Sequence, residues 1–459
     1  MSSFTEDNEE QYQMLQLAIE DTSSGICLFR AYSAKEQLSI ANKLKSEVTK
    51  KCCIFDMAKI RTADLPYDIG NVRKMLAGYE ECEVVIWCNL QICGTRLGDD
   101  EYIQNLNYMR DQLMTMNKVW VLGMSPYFAT LLSRQARDLY SCIMNHFEFK
   151  EEAEDALLTF QENRYTGDIK LNMLKFIELQ SRINENGIEN VSENVLQEAV
   201  TVWNKIYEYC NQKTVVWITE ALEKIEEKLA VRELSAKECI DYREISRAYY
   251  LLREYDKAVI FAQMLFYNTK RFFSEQSLEM ADMYMQMGQI YLALREYEKA
   301  KEALSKVVDY YVRNNDENTY GYIAALDVLA QIYTFQGDIE KASAIYIMLG
   351  AKAEQMYGDS SKVLANVLNN LGATYVFDKR PSEALKFFLR AEEIYENSEE
   401  ENIGSYANTL KNIGLIYQHI GDSGKAIKYM KKAKSIFDKI APSLQNARCM
   451  EMINKILTT

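Results

Sequence analysis

Histidine and proline are scarce, two and four residues in a chain of 459. His146 and His419 are too few and too far apart to build the usual zinc sites, and no C-x-x-C pair occurs among the ten cysteines. Nor does any order of serine, histidine and acid resemble a nucleophilic triad. Only Pro66, Pro126, Pro381 and Pro442 are present to interrupt helices, so long helices are expected. No apolar run approaches the roughly 18 residues that a membrane-spanning helix requires. The opening MSSFTEDNEEQYQ is polar and acidic where a secretory signal is basic and then apolar. Positive charge is also short: 53 basic against 67 acidic residues give a formal net charge of −14. That balance opposes the phosphate neutralisation behind most nucleic-acid binding, so DNA or RNA is not expected as the principal partner. A cytoplasmic protein without cofactor or metal is the expectation. Cys27, Cys52, Cys53, Cys82, Cys88 and Cys93 fall in or beside apolar runs, as buried free thiols of a reducing compartment do.

What is abundant is helical text after residue 150, and before it a different grammar. Following an amphipathic stretch, EEQYQMLQLAIED, four strand-length apolar runs appear: GICLFRAY at 25–32, CCIFDMAKI at 52–60, CEVVIWCNL at 82–90 and KVWVLGM at 118–124. Helical patterns separate them, AKEQLSIANKLKSEV, IGNVRKMLAGYE and EYIQNLNYMRDQLMTMN. Alternating strands and helices predict a mainly parallel sheet covered on both faces. A last helix, SPYFATLLSRQARDLYSCIM, starts with a capping serine and a first-turn proline, and leads to a fifth strand in FEFK at 147–150. The expected organisation is an α/β domain over 1–150, a helical connector over 151–235 that includes EDALLTFQEN, and a solenoid over 236–459.

The solenoid follows from a repeat. Stepping by 42 residues aligns SRAYYLLREYDKA, GQIYLALREYEKA, AQIYTFQGDIEKA, GATYVFDKRPSEA and GLIYQHIGDSGKA. Ser246, Gly288, Ala330, Gly372 and Gly414 are small where two helices would cross closely. Tyr249, Tyr291, Tyr333, Tyr375 and Tyr417 follow one turn later on the expected buried face. Ala258, Ala300, Ala342, Ala384 and Ala426 let the second helix approach. These are core positions, so function must lie in what differs between units. MADMYMQMG, at helical spacing, is read as core too, and the Glu154-Asp155 pair and the Glu226-Glu227-Lys228 run as solvated helical faces. The pattern resembles the tetratricopeptide repeat, whose usual unit is about 34 residues, in the longer-helix variety of kinesin light chains and bacterial peptide receptors. The resemblance implies an all-α superhelix whose first helices line a groove for a protein or peptide.

In that pattern the groove is lined near the positions two or three before the small residue: Arg243 and Glu244, Met285 and Gln286, Asp327 and Val328, Asn369 and Asn370, Lys411 and Asn412. An asparagine ladder pairs with an extended peptide backbone without reading side chains, because each amide carries a donor and an acceptor. Asn370 and Asn412 match the groove asparagines of the kinesin light chain repeats; Asn369 and Lys411 are added from geometry, and Lys411 offers a charge for a carboxylate. Asp327 with Gln331, and Arg243, Arg247 and Tyr250 at the other end, complete the candidate site.

The order of strands and helices in 1–150, with YIQNLNYMRDQL and KVWVLGMSPYF, resembles a degenerate P-loop domain of the STAND type found in bacterial signalling and defence. A working P-loop needs glycine amides around the phosphates and a lysine reaching them. Here the turn reads FRAYSAKEQ, glycine-free although Lys35 stands near the lysine's place, and VVIWCNL ends in Cys88-Asn89 where an acid would hold magnesium. The reading is therefore a non-catalytic adaptor or sensor. One alternative is a signalling-peptide receptor that regulates a partner, although those carry a helix-turn-helix or helical bundle in front. Another is a TIR-like NAD-cleaving enzyme, because GICLFRAYSAKEQLSIANKL resembles that fold's start and Glu101 is the nearest acid. Asp99, Asp100 and Glu101 are more simply an acidic helix start, favourable to the macrodipole. Calorimetry with ATP and magnesium is expected to show no binding near micromolar strength, about −8 kcal/mol. Lys35→Ala should leave stability unchanged; a micromolar ATP site lost in that variant would contradict the expectation.

Overall fold

The computed structural model describes residues 6–149, 167–207, 210, 212–229, 234–397, 403–438 and 444–458. It divides into two compact units, Met1–Val202 and Trp203–Thr459. The first contains α1 (Glu6–Asp21), β1 (Gly25–Arg30), α2 (Ala34–Glu47), β2 (Cys52–Asp56), α3 (Ile69–Leu76), β3 (Val84–Cys88), α4 (Gln91–Leu97), α5 (Asp99–Met114), β4 (Val119–Met124), α6 (Pro126–Gln135), α7 (Arg137–Ser141), β5 (Ile143–Glu148), α8 (Gly167–Asn186) and the start of α9 (Glu193–Ile206). All its strand pairings are parallel, in the order β2-β3-β4-β1-β5.

Alternation along the strands divides the core between two faces. Cys27, Phe29, Ile86 and Val121 face α1 and α2. Ile26, Leu28, Val85, Trp87, Trp120 and Leu122 face α3, α5 and α6. The strands are shorter than the apolar runs suggest: β1 and β2 end at Arg30 and Asp56, before their runs do, β3 occupies only Val84–Cys88 of its run, and β4 starts at Val119. The fifth strand starts at Ile143 rather than 147, and the helix expected to run from Ser125 to Met144 stops early. Ala136, at φ −116° and ψ 57°, ends α6, and only one short turn, α7, precedes the strand. EDALLTFQEN and the Glu154-Asp155 pair lie outside the described residues. All ten cysteines are free and eight are buried. Among the described residues no helix is long and apolar enough to cross a membrane.

The second unit is helical throughout its described residues: α10 (Gln212–Leu229), α11 (Ala236–Asp241), α12 (Arg243–Leu251), α13 (Tyr255–Thr269), α14 (Leu278–Ala293), α15 (Tyr297–Arg313), α16 (Tyr320–Gln336), α17 (Ile339–Tyr357), α18 (Lys362–Phe377), α19 (Pro381–Asn397), α20 (Ile403–Ile420), α21 (Ser423–Phe437) and α22 (Leu444–Thr458). The repeat is visible in its turns. Arg253, Arg295, Gly337, Lys379 and Gly421, 42 residues apart, all have positive φ. The next residue donates its backbone N–H to the carbonyl of the repeated tyrosine at 2.8–2.9 Å: Glu254 to Tyr249, Glu296 to Tyr291, Asp338 to Tyr333, Arg380 to Tyr375 and Asp422 to Tyr417. This six-to-one bond closes the first helix and aims the second. In four of the five units a lysine then lies over the tyrosine ring, Lys257, Lys299, Lys341 and Lys425 at 5.0–5.4 Å from the centroid, while pairing with the acid three residues earlier. In the fourth unit the charges are exchanged: Arg380 covers Tyr375 and pairs with Glu383.

The small residues stand at the helix crossings. A Cβ at Gly288 would meet Leu304 Cγ at 2.7 Å, at Gly372 the Phe388 ring at 3.0 Å, and at Gly414 Met430 Cε at 2.9 Å. Ala258, Ala300, Ala342, Ala384 and Ala426 are all buried. Tyr249 and Tyr291 are buried as expected, but Tyr333, Tyr375 and Tyr417 are half-buried, their rings open to the lysine or arginine that covers them. Gly288→Ala gains about 1 kcal/mol of helix propensity but forces Leu304 aside at its branch point, a cost of about 1–3 kcal/mol. Net destabilisation in urea unfolding is expected, and a smaller effect for Gly414→Ala, where the flexible end of Met430 yields. An unchanged midpoint for Gly288→Ala would show that the crossing is not tight.

Candidate functional site

On the first helix of each unit one stripe recurs at i, i+4 and i+7. In α12 it is Arg243, Arg247 and Tyr250; in α16 it is Tyr320, Ala324, Asp327 and Gln331. Neighbouring stripes are tied by hydrogen bonds that reach back 43 residues, one unit and one residue. Gln286 Nε2 donates to the Arg243 carbonyl at 2.9 Å, Asn370 Nδ2 to Asp327 Oδ1 at 2.8 Å, and Asn412 Nδ2 to Asn369 Oδ1 at 3.4 Å. At the remaining step Val328 stands where an amide would be, and is buried.

Between α12, α14, α15 and α16 lies a cavity of about 540 Å³. Arg243, Arg247 and Tyr250 line it from α12, Met285, Gln286 and Gln289 from α14, Tyr311 from α15 and Tyr320 from α16. Arg243 is neutralised by Asp282, also in the wall. Arg247 is exposed and has no ion-pair partner among the described residues. Gln286 spends its Nε2 on the ladder, and its buried Oε1 has no partner among the described residues. A buried acceptor of this kind asks for an N–H, which an extended backbone supplies. Asp282, Gln289 and Tyr320 were not singled out by the sequence reading, though they continue the same helical stripes. Tyr311 comes from the second helix α15 and has no such signal.

Asp327 sits beyond this cavity, half-buried, one turn further along α16 from Ala324. It accepts from Asn370 Nδ2 and from Gln331 Nε2 at 2.9 Å. Burial pushes its carboxyl up from the usual carboxylate value, against the two amides and the Tyr346 hydroxyl. Asn369 Oδ1 accepts from Thr409 at 3.0 Å as well as from Asn412. Of the expected asparagine ladder, then, Asn370 and Asn412 are bound to neighbouring units. Lys411 turns to neutral partners, Asn408 Oδ1 at 3.0 Å and Cys449 Sγ at 3.5 Å. Asn412 also lines a second, more apolar pocket of about 370 Å³ with Val376, Phe388, Leu415 and Ile416.

In the first unit Lys35 is exposed on the opening turn of α2. Cys88 is buried, and Asn89, at φ 62°, donates to Asp56 at 2.8 Å. Glu101 is exposed at the start of α5, Asp100 accepts from Gln135 at 2.8 Å, and Asp99 accepts from the Tyr127 hydroxyl at 3.3 Å.

A model of the tetratricopeptide repeat family matches residues 279–347 and 363–439. No curated protein matches the chain in sequence. Among solved structures, BtubC from P. vanneervenii is similar at 19% identity over 49% of this chain and 88% of its own, with a TM-score of 0.38. A Rap protein complexed with Competence and Sporulation Factor is similar at 14% identity over 74% and 77%, TM-score 0.43. A signal transduction ATPase with a tetratricopeptide repeat sensor from Pyrococcus horikoshii is similar at 12% over 99% and 86%, TM-score 0.38. All three scores are below 0.5, so the chain's own residues carry the functional reading.

Asp327 makes stability depend on pH. A carboxyl raised on folding binds its proton more tightly in the folded state, so its contribution is fully present below the unfolded value, about 3.9, and is lost as pH rises through the folded one. Asp327→Asn should remove that decline. Wild-type and variant unfolding midpoints are expected to separate as pH rises above about 4, with the variant the more stable; parallel curves would contradict this.

Proposed function

We propose that this chain, whose second unit is built of tetratricopeptide repeats, is a non-catalytic adaptor or sensor that holds a peptide, or an extended segment of a protein, along its first helices. The observation that carries the reading is the cavity over the first two repeats and the start of the third: a roomy cleft with an unpaired guanidinium, Arg247, and a buried orphan acceptor, Gln286 Oε1. Tyr250 and Tyr320 add broad faces of the kind enriched at interfaces, backed by the buried Tyr311, and Met285 adds an adaptable one. The asparagines further along contribute fixed dipoles, but two of their amides already serve the ladder.

In this reading the α/β unit is a degenerate P-loop domain kept for contacts, and the setting is cytoplasmic signalling or defence in bacteria. Free, mostly buried cysteines favour a reducing compartment. The exposed Lys35 on a glycine-free turn favours a domain without nucleotide chemistry.

Panning a displayed library of random decapeptides against the full chain tests the proposal. Enriched peptides should bind the purified protein, and Arg247→Ala and Gln286→Ala should each weaken them by about 1–3 kcal/mol. Failure to enrich any peptide over a bare-support control would overturn it, as would unaltered binding in both folded variants.

A further inference from the structure

The groove face carries few charges, and all but Arg247 and Asp327 are compensated by an opposite charge or turned away to neutral neighbours. Asp282 has Arg243. Lys411 has Asn408 and Cys449. The conspicuous anion is Asp327, whose side chain accepts from the amides of Asn370 and Gln331 and lies beside the Tyr346 hydroxyl, which donates to its backbone carbonyl at 3.4 Å and also favours the ionised carboxyl. The equivalent positions in the neighbouring units are Met285 and Asn369, both uncharged. No cation faces Asp327 among the described residues; every influence on its carboxyl is burial or a neutral donor.

We infer that Asp327 receives a lysine or arginine side chain of the bound peptide, and so sets a requirement for a cation at one position of the ligand. This rests on the groove reading. Three observations support it. Asp327 shares its helical stripe with Tyr320 and Ala324, which line the cavity, so a chain leaving the cavity along α16 meets it one turn on. Two amide donors and the nearby Tyr346 hydroxyl hold the carboxylate in place and still use only part of its roughly four lone-pair sites, leaving room for a further donor. And a half-buried anion without a counter-charge gains more from a cation than an exposed one does, because the desolvation has already occurred in the free protein. A metal ion fits less well: the flanking groups present N–H donors to the carboxylate, and no cluster of metal-ligating side chains exists among the described residues.

The residue order along the groove then defines the ligand's chemistry. The unpaired guanidinium of Arg247 lies in the first repeat, and the carboxylate of Asp327, which lacks a counter-charge, lies in the third. A complementary peptide carries an anionic group, a side chain or its terminal carboxylate, at the Arg247 end and a cationic side chain further on.

The experiment pans one random decapeptide library on the full chain and on Asp327→Asn in parallel, then measures recovered peptides by fluorescence anisotropy. Wild-type protein should enrich lysine or arginine at one register position, and the variant should not. An individual wild-type binder should lose at least tenfold in affinity on Asp327→Asn. Replacing its lysine by glutamine should cost as much on wild-type protein and nothing further on the variant. The peptide half of this cycle needs no altered protein, and its loss should shrink as salt is raised. Peptides that bind both proteins equally, with lysine dispensable, overturn the assignment and leave the groove reading standing. Recovery of no peptide on either protein overturns the groove reading and the assignment with it.

Discussion

The bond from the residue after each left-handed turn to the carbonyl of the repeated tyrosine sets the geometry of the second unit. It requires positive φ at Arg253, Arg295, Gly337, Lys379 and Gly421, three of them residues that pay a steric cost for that conformation. Once the turn is fixed, the second helix returns at one angle. The small residue at the crossing and the alanine opposite become obligatory, and the lysine or arginine arrives over the tyrosine ring. Surface ion pairs such as Glu296 with Lys299 add little by themselves. Their charge order can be exchanged, as in Arg380 with Glu383, without altering the turn.

Identical turns stack identical first helices, and stacking places equivalent residues side by side with an offset of one unit and one residue. That offset makes Gln286, Asn370 and Asn412 reach Arg243, Asp327 and Asn369. The ladder stiffens the groove face and consumes donors there, which leaves a small number of groups unsatisfied. Gln286 Oε1, which lacks a donor, and the Arg247 guanidinium and Asp327 carboxylate, which lack a counter-charge, are where an added chain would gain most.

Much of this is legible in the chain. The 42-residue step shows the small residues, tyrosines and alanines, and the break at Arg295-Glu296 marks the turn, because local backbone geometry is written in local residue types. The alternation of apolar runs and helical patterns shows the parallel sheet. The end of the helix at Ala136 was not visible, since the apolar pattern continues across it. Arg243, Arg247 and Tyr250 are recognisable as one face of a helix, and the structure brings them together in the cavity. Tyr311 and the bond between Asn370 and Asp327 are not legible, because both depend on how one helix is offset against the next, a property of the superhelix rather than of any segment.

Hydrogen exchange of the full chain, alone and saturated with a decapeptide selected on it, tests most directly whether the first helices hold the ligand. Protection is predicted in α12, α14 and α16, with α13, α17 and the β1–β5 sheet unchanged. Protection confined to the second helices or to the α/β unit would contradict the account.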